Sequence, residues 1–387
     1  MPIYVVKSGD TVDAIARSAG VPVQDLIFDN QIPYPYRLAV GQALFIRTPA
    51  QGNASGSETA GPRYPLYVSG YAYPFIQPQV LEDTLPELTA IYIFSYGFTA
   101  EGQLIPPMTD ETWMIQETLR KGVRPVLVFT PMDENGHFNN NLVTVLVQDR
   151  TLQQKLLWAL GSTMQEKDYG GLDIDFEYIQ ASDREAFANF VRFATQVMNL
   201  FGYPVSVALA PKTSGDQPGL LYEGVDYGLL GAAANRVLLM TYEWGYTYGP
   251  PMAVAPINMV RRVVEYALTE IPPEKISLGI PNYGYDWPLP YTRGTTRAQT
   301  LGTLEAVQLA IDHGVDIRFD ETAQSPYFRY WQYGIQHEVW FEDVRSLQAK
   351  FKLVKEYGLS GVGYWQLMRY YRANWLLLEE LFLTERT

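Results

Sequence analysis

From residue 64 onward, short apolar runs rich in β-branched and aromatic residues alternate eight times with longer stretches of helical character. The runs fall at 66–69, 90–94, 125–129, 171–175, 205–209, 237–240, 276–280 and 361–365. Such alternation marks a parallel sheet, because parallel neighbours need a connection long enough to return to the starting edge, and a helix is the usual one. Eight strands spread over about 320 residues point to a closed (β/α)8 TIM barrel, though periodicity alone leaves an open doubly wound sheet as the alternative. No Gly-x-Gly-x-x-Gly or phosphate-loop motif follows any of the runs. Between the seventh and eighth runs the interval is long. A helical stretch at 303–312 and strand-like runs at 316–320, 327–331 and 337–341 predict a small α+β insertion over approximately 293–342, forming one wall of a groove on the barrel rim.

The chain before residue 64 has a different character. Residues 2–48 read as strand, helix, helix, strand, with a capped start at Ser8-Gly9-Asp10-Thr11, a stop at Gly20, a turn at Asn30 and a returning strand from Val40 to Ile46. This βααβ unit is too small for a catalytic core. Residues 49–63 carry small and polar residues ending in Gly61-Pro62, the composition of a flexible linker. The barrel domain is therefore expected over 64–387.

Composition narrows the chemistry. With no cysteine, the chain has neither disulfides nor thiol nucleophiles, and its three histidines, His137, His313 and His337, lie at no metal-binding spacing. No metal and no cofactor are expected. A net charge of −13 argues against nucleic acid or an anionic membrane as partner, and no apolar run is long enough to span a bilayer. Residues 1–10 show neither a basic cluster nor an apolar core, so no secretory signal peptide is expected.

The run ending the fourth strand is Gly170-Gly171-Leu172-Asp173-Ile174-Asp175-Phe176-Glu177. Strand alternation puts Asp173, Asp175 and Glu177 on one face, about 6.5 Å apart in succession, with apolar residues on the other. Crowded carboxylates cannot all ionise cheaply, so one should hold a proton near neutral pH, as a general acid must. Taken alone, the pattern also suits a half-buried edge strand facing water, or an acidic metal cluster.

The run resembles the signature strand of family 18 glycoside hydrolases, D-G-x-D-x-D-x-E. Met240-Thr241-Tyr242-Glu243, Gly279-Ile280-Pro281-Asn282-Tyr283-Gly284 and Trp365 fit further motifs of that family in order. The resemblance implies an acid/base at Glu177, a supporting carboxylate at Asp175 backed by Asp173, and a hydroxyl at Tyr242 on a substrate acetamide. It also implies substrate contacts from Trp365, Glu243, Met240, Tyr283 and Tyr96. Family 18 enzymes use the substrate's own N-acetyl oxygen in place of a second carboxylate nucleophile. Three departures stand out: Gly170 replaces the first aspartate, Phe129-Thr130-Pro131 replaces a Ser-x-Gly-Gly turn, and Glu243 replaces an aspartate.

The N-terminal unit resembles the LysM module, through Gly9-Asp10-Thr11, Ile15-Ala16, Gly20-Val21, Asn30 and Val40-Gly41-Gln42. That implies binding of N-acetylglucosamine-containing glycans through Asp10, Thr11 and Asn30. One such module before such a barrel is similar to the spore cortex-lytic N-acetylglucosaminidases, implying cleavage of peptidoglycan after N-acetylglucosamine and association with the spore coat or cortex of a spore-forming bacterium that makes the protein in its cytoplasm. A chitinase acting on chitin oligomers and a non-catalytic glycan-binding scaffold are the alternatives. The module is expected to act as a tether that raises local substrate concentration.

Overall fold

The computed structural model describes residues 3–47 and 63–386, so nearly all of the expected linker lies outside the described residues. All eight runs are strands: β1 (Pro65–Ala72), β2 (Ala90–Phe98), β3 (Arg124–Phe129), β4 (Gly171–Ile174), β5 (Val205–Leu209), β6 (Arg236–Leu239), β7 (Ile276–Pro281) and β8 (Gly361–Trp365). Each pairs in parallel with its sequence neighbours, and β1 pairs with both β2 and β8, so the sheet closes into a barrel. One face of each strand packs outward against the helices, as Leu172 and Ile174 do on β4. The interior holds Tyr67, Tyr71, Tyr92, Phe94, Val126, Val128 and Leu238.

The insertion is larger than the sequence indicates. Its five-stranded antiparallel sheet runs Gln299–Leu301, Gly284–Leu289, Ile335–Trp340, Ser325–Gln332, Arg318–Asp320 in spatial order. The strand Gly284–Leu289 lies upstream of residue 293 and is missed from sequence because Pro288 interrupts it and it follows β7 almost directly. The helix Thr303–His313 covers the sheet through Ala306 and Ala310, which meet Phe328, Val339 and Phe341.

In the N-terminal module, strands Ile3–Val5 and Ala43–Phe45 pair antiparallel around helices Val12–Ala19 and Val23–Asp29. Thr11 caps the first helix by accepting from the Ala14 amide at 3.2 Å, and Gly20 ends it at φ 70°, a conformation glycine adopts without strain. The module does not stand apart. Ala43 and Phe45 belong to the same buried cluster as the barrel's outer layer, and Ala39 packs into the core of the insertion. Among the described residues no helix is long and apolar enough to cross a membrane.

Candidate active site

At the C-terminal end of the barrel lies a cleft of about 600 Å³. Asp175, Glu177, Tyr242, Glu243, Met240 and Trp365 all line it. The alternation read in β4 carries past the end of its ladder: Phe176 points outward into Phe98, Phe129, Phe187 and Phe190, while the acids on either side point inward. Tyr178, at φ 56°, then turns the chain away and presents its ring at the cleft mouth.

Asp173 is wholly buried beneath the cleft, accepting from the Tyr71 hydroxyl at 2.8 Å and the Ser206 hydroxyl at 2.5 Å. Burial pushes its carboxyl up to about 6, and those two hydrogen bonds restrain the rise. Asp175 is 5 % exposed, and its Oδ1 is a buried oxygen with no hydrogen-bond partner. Burial first, then the charges of Glu177 and Asp173, hold Asp175 well above the ordinary carboxylate range. Glu177 rises to about 7, through burial and then the charge of Glu243. Asp175 and Glu177 are thus the acids that retain protons toward neutrality, the property a proton donor to a glycosidic oxygen requires.

Glu243, at φ 67°, has an exposed residue surface, yet its carboxylate accepts from Tyr285 at 2.9 Å and from the Tyr283 hydroxyl. Desolvation by the cleft wall raises its carboxyl, against the pull of those two hydroxyls. Tyr283 is buried and serves Glu243 from behind, so it supports the cleft wall and does not form it. Tyr242 is 7 % exposed and its ring reaches the cleft, with burial and the charges of Asp175 and Glu177 holding its phenol well above its ordinary value. A Cβ on Gly279 would stand 2.8 Å from that ring and 2.3 Å from the Leu239 carbonyl, so the motif glycine is what lets Tyr242 lie there. Trp365 packs edge-on against Phe94 at 5.3 Å and against Tyr71 at 5.5 Å, leaving an apolar face for a sugar ring.

Two further expected contacts are corrected. Tyr96 is buried outside the barrel wall, where its hydroxyl donates to Glu111 at 2.5 Å and its ring meets Tyr169. The ladder between β2 and β3 shifts register between Ile93 and Tyr96, which turns Tyr96 outward and leaves Phe94 on the cleft. Asn30 is 5 % exposed and fully engaged, donating to the Leu26 and Phe45 carbonyls and accepting from the Phe45 amide at 2.7 Å. It ties helix to strand inside the module. Asp10 and Thr11 shape the turn before the first helix, Asp10 accepting from the Tyr4 hydroxyl at 2.8 Å and the Lys7 amide at 2.7 Å.

The departures in sequence have local causes. A Cβ on Gly170 would lie 2.8 Å from the Arg124 side chain, which occupies the space an aspartate there would need. Thr130 is buried and donates to the Tyr96 carbonyl at 3.2 Å, fixing the turn after β3. Sequence reasoning missed Tyr71, Tyr73, Phe94, Tyr178, Tyr222, Trp244 and Tyr246 on the cleft. For Tyr71 and Tyr73, spacing of two at the end of a strand was a usable signal. Among the described residues the insertion supplies none of the cleft lining; it braces the loop after β6, with the Trp287 indole donating to the Gly249 carbonyl at 2.8 Å. No group of three or more potential metal ligands occurs among the described residues.

Comparison with known proteins agrees with this geometry. The family model for glycosyl hydrolases family 18 matches residues 136–369, and the LysM domain model matches residues 4–47. The chain is 37% identical to a cortical fragment-lytic enzyme of Bacillus subtilis (strain 168), over 99% of this chain and 98% of that one. A putative sporulation-specific glycosylase of the same bacterium, YdhD, is 33% identical over 97% of this chain and 86% of its own. The crystal structure of the Bacillus cereus spore cortex-lytic enzyme SleL superposes with a TM-score of 0.92 at 32% identity, covering 100% of this chain and 99% of that one. The protein belongs to glycosyl hydrolase family 18, a TIM-barrel hydrolase carrying an N-terminal LysM domain.

Proposed function

We propose that the protein hydrolyses the β-1,4 bond following N-acetylglucosamine in bacterial peptidoglycan, by retaining catalysis in which the substrate's acetamide is the nucleophile. The observation that carries this reading is the unpartnered Oδ1 of Asp175, a buried acceptor facing a cleft that also holds Glu177 and Tyr242. An orphaned acceptor of this kind costs about 1–3 kcal/mol and calls for a donor. An acetamide N–H supplies one. Tyr242 donates to the acetamide carbonyl and holds its oxygen in line with the anomeric carbon. Glu177 gives its proton to the leaving oxygen as that bond breaks and the carbonyl oxygen closes on the anomeric carbon. The resulting oxazolinium carries positive charge, which draws Asp175 to its ionised form beside it, the proton leaving to water in the cleft that Asp175 lines. Glu177 then removes a proton from the water that opens the ring.

The cleft lining bears Asp175, Glu177 and Glu243 and, among the described residues, no lysine, arginine or histidine. A glycan with uncharged sugars beside the scissile bond suits it better than one with a free lactyl carboxylate, which favours spore cortex with its muramic lactams. The relatives' association with cortical fragments and spores supports the same substrate and a place at the spore cortex. The N-terminal module, through its LysM resemblance, adds affinity for the same class of glycan.

The test is mass spectrometry of products from purified cortex fragments and from chitin oligomers, with intact protein and Glu177→Gln. New reducing N-acetylglucosamine ends from cortex, absent with the variant, are expected. Cleavage of chitin alone would make the protein a chitinase, and binding without any product would make it a scaffold.

A further inference from the structure

We propose that the N-terminal module is a fixed extension of the catalytic cleft and not a swinging tether, with Arg372 as the positioning residue that sets its angle. This rests on the glycan-hydrolase reading above. Apolar packing is the first support: Phe45 is 1 % exposed and shares the barrel's outer core, and Ala39 shares the core of the insertion. A clasp of polar contacts is the second. The Arg372 amide donates to Gln31 Oε1 at 2.6 Å, its Nε donates to Asp29 Oδ1 at 3.2 Å, and its guanidinium lies 4.3 Å above the Phe28 ring. Asp29 is 1 % exposed and forms ion pairs at 3.2 Å with both Arg372 and Arg47. On the other side of the module the Ile317 amide donates to the Val40 carbonyl at 2.8 Å, and Arg345 donates to the Gly41 carbonyl at 3.1 Å. A Cβ on Gly41 would stand 1.8 Å from the Ile317 carbonyl oxygen, so the surfaces meet backbone to backbone.

The position of this clasp gives it a function. Arg372 opens the helix Arg372–Leu381 that follows β8, and residues 366–371 lead to it directly from Trp365 in the cleft. That segment is braced by the Leu367 amide on the Tyr71 carbonyl at 2.9 Å and by Asn282 on the Gln366 carbonyl at 3.2 Å. The module's 28–31 turn therefore sits at the catalytic end of the barrel. Phe28, with Arg372 over one face of its ring, remains 63% exposed and Tyr34 remains 83% exposed, so the module offers aromatic surface to sugars. A strand long enough to reach both regions meets them at one spacing. A shorter strand gains nothing from the module, whereas a flexible tether would reward many spacings.

The experiment measures binding by calorimetry and kcat/KM by turnover on β-1,4 N-acetylglucosamine oligomers of increasing length. It compares the intact protein with Arg372→Glu, which sets a carboxylate against Asp29, and with Gly41→Ala, each checked by thermal melt. For the intact protein, affinity is expected to step up about tenfold at one threshold length. Folded variants should bind the shortest oligomers within about twofold of the intact protein and lose the step. A smooth rise without a threshold, or a step that survives in both variants, overturns the proposal. Absence of turnover at every length, with the binding step present, counts against the hydrolase reading and leaves the fixed module supported.

Discussion

Replacing Glu177 with glutamine should abolish turnover and at the same time stabilise the fold at alkaline pH. In the cleft this carboxyl is raised from its ordinary 4.5 to about 7, by burial first and by the charge of Glu243 second. The native state therefore keeps the proton to higher pH than the unfolded chain does. Its stability falls as pH rises between about 4.5 and about 7, and the full penalty stands above that window. At about 1.4 kcal/mol per pH unit, the ionised group costs the fold at most about 3.5 kcal/mol, less whatever solvent reaching the cleft recovers. Glutamine keeps the size and sheds the charge, and it also relieves Asp175, whose carboxyl Glu177 pushes upward. Denaturant melts of both proteins at pH 4 and pH 8, followed by tryptophan fluorescence, read the difference. The variant should match the parent at pH 4 and exceed it by about 1–3 kcal/mol at pH 8. An equal difference at both pH values, or a less stable variant at pH 8, would refute the assignment of a strained, proton-retaining acid.

The same carboxyl sets the pH profile: kcat/KM should fall as pH rises through about 7, where Glu177 loses its proton, and Glu243→Gln should move that limb to lower pH by removing the negative neighbour. Tyr242→Phe should leave the melting temperature nearly unchanged and lower kcat on an N-acetylglucosamine glycan by about 10²-fold, a loss typical of removing one donor from a developing charge. Tyr96→Phe, by contrast, should keep kcat/KM within about twofold and cost about 1–2 kcal/mol in a melt, because its hydroxyl serves buried Glu111 and not the cleft. Deleting residues 1–60 should lower the stability of the remaining barrel, since Phe45 alone contributes about 2 kcal/mol through burial against it; a melt of the truncated chain checks this.

The barrel was legible because each strand declares itself locally, by a short run of β-branched residues between helical stretches, and eight parallel strands have few ways to pack. The module was legible for similar reasons, through a cap at Thr11 and a stop at Gly20. What escaped was the relation between parts. Gly284–Leu289 reads as a continuation of β7, and only its pairing with Ile335–Trp340 makes it a strand of the insertion. Likewise the composition of residues 49–63 suggested independent units, while the contacts joining them come from residues far apart in sequence: Gln31 with Arg372, and Gly41 with Arg345. No local pattern records such a meeting.

The site divides along the same line. Asp173 lies on β4 and Asp175 and Glu177 on its extended continuation, so period-two alternation finds them together. Their environment is assembled from other strands: Tyr71 from β1 and Ser206 from β5 hold Asp173, while Tyr242 follows β6 and Trp365 ends β8. Alternation also misleads where the ladder breaks. Counting in twos from Tyr92 and Phe94 puts Tyr96 in the cleft, but the register shift after Ile93 sends it to Glu111. The same local rule therefore identifies the acids of β4, whose pairing is regular on both sides, and fails on β2, where one irregularity moves a side chain across the barrel wall. A cleft residue inferred from alternation alone is only as secure as the pairing between it and the nearest residue whose facing is known.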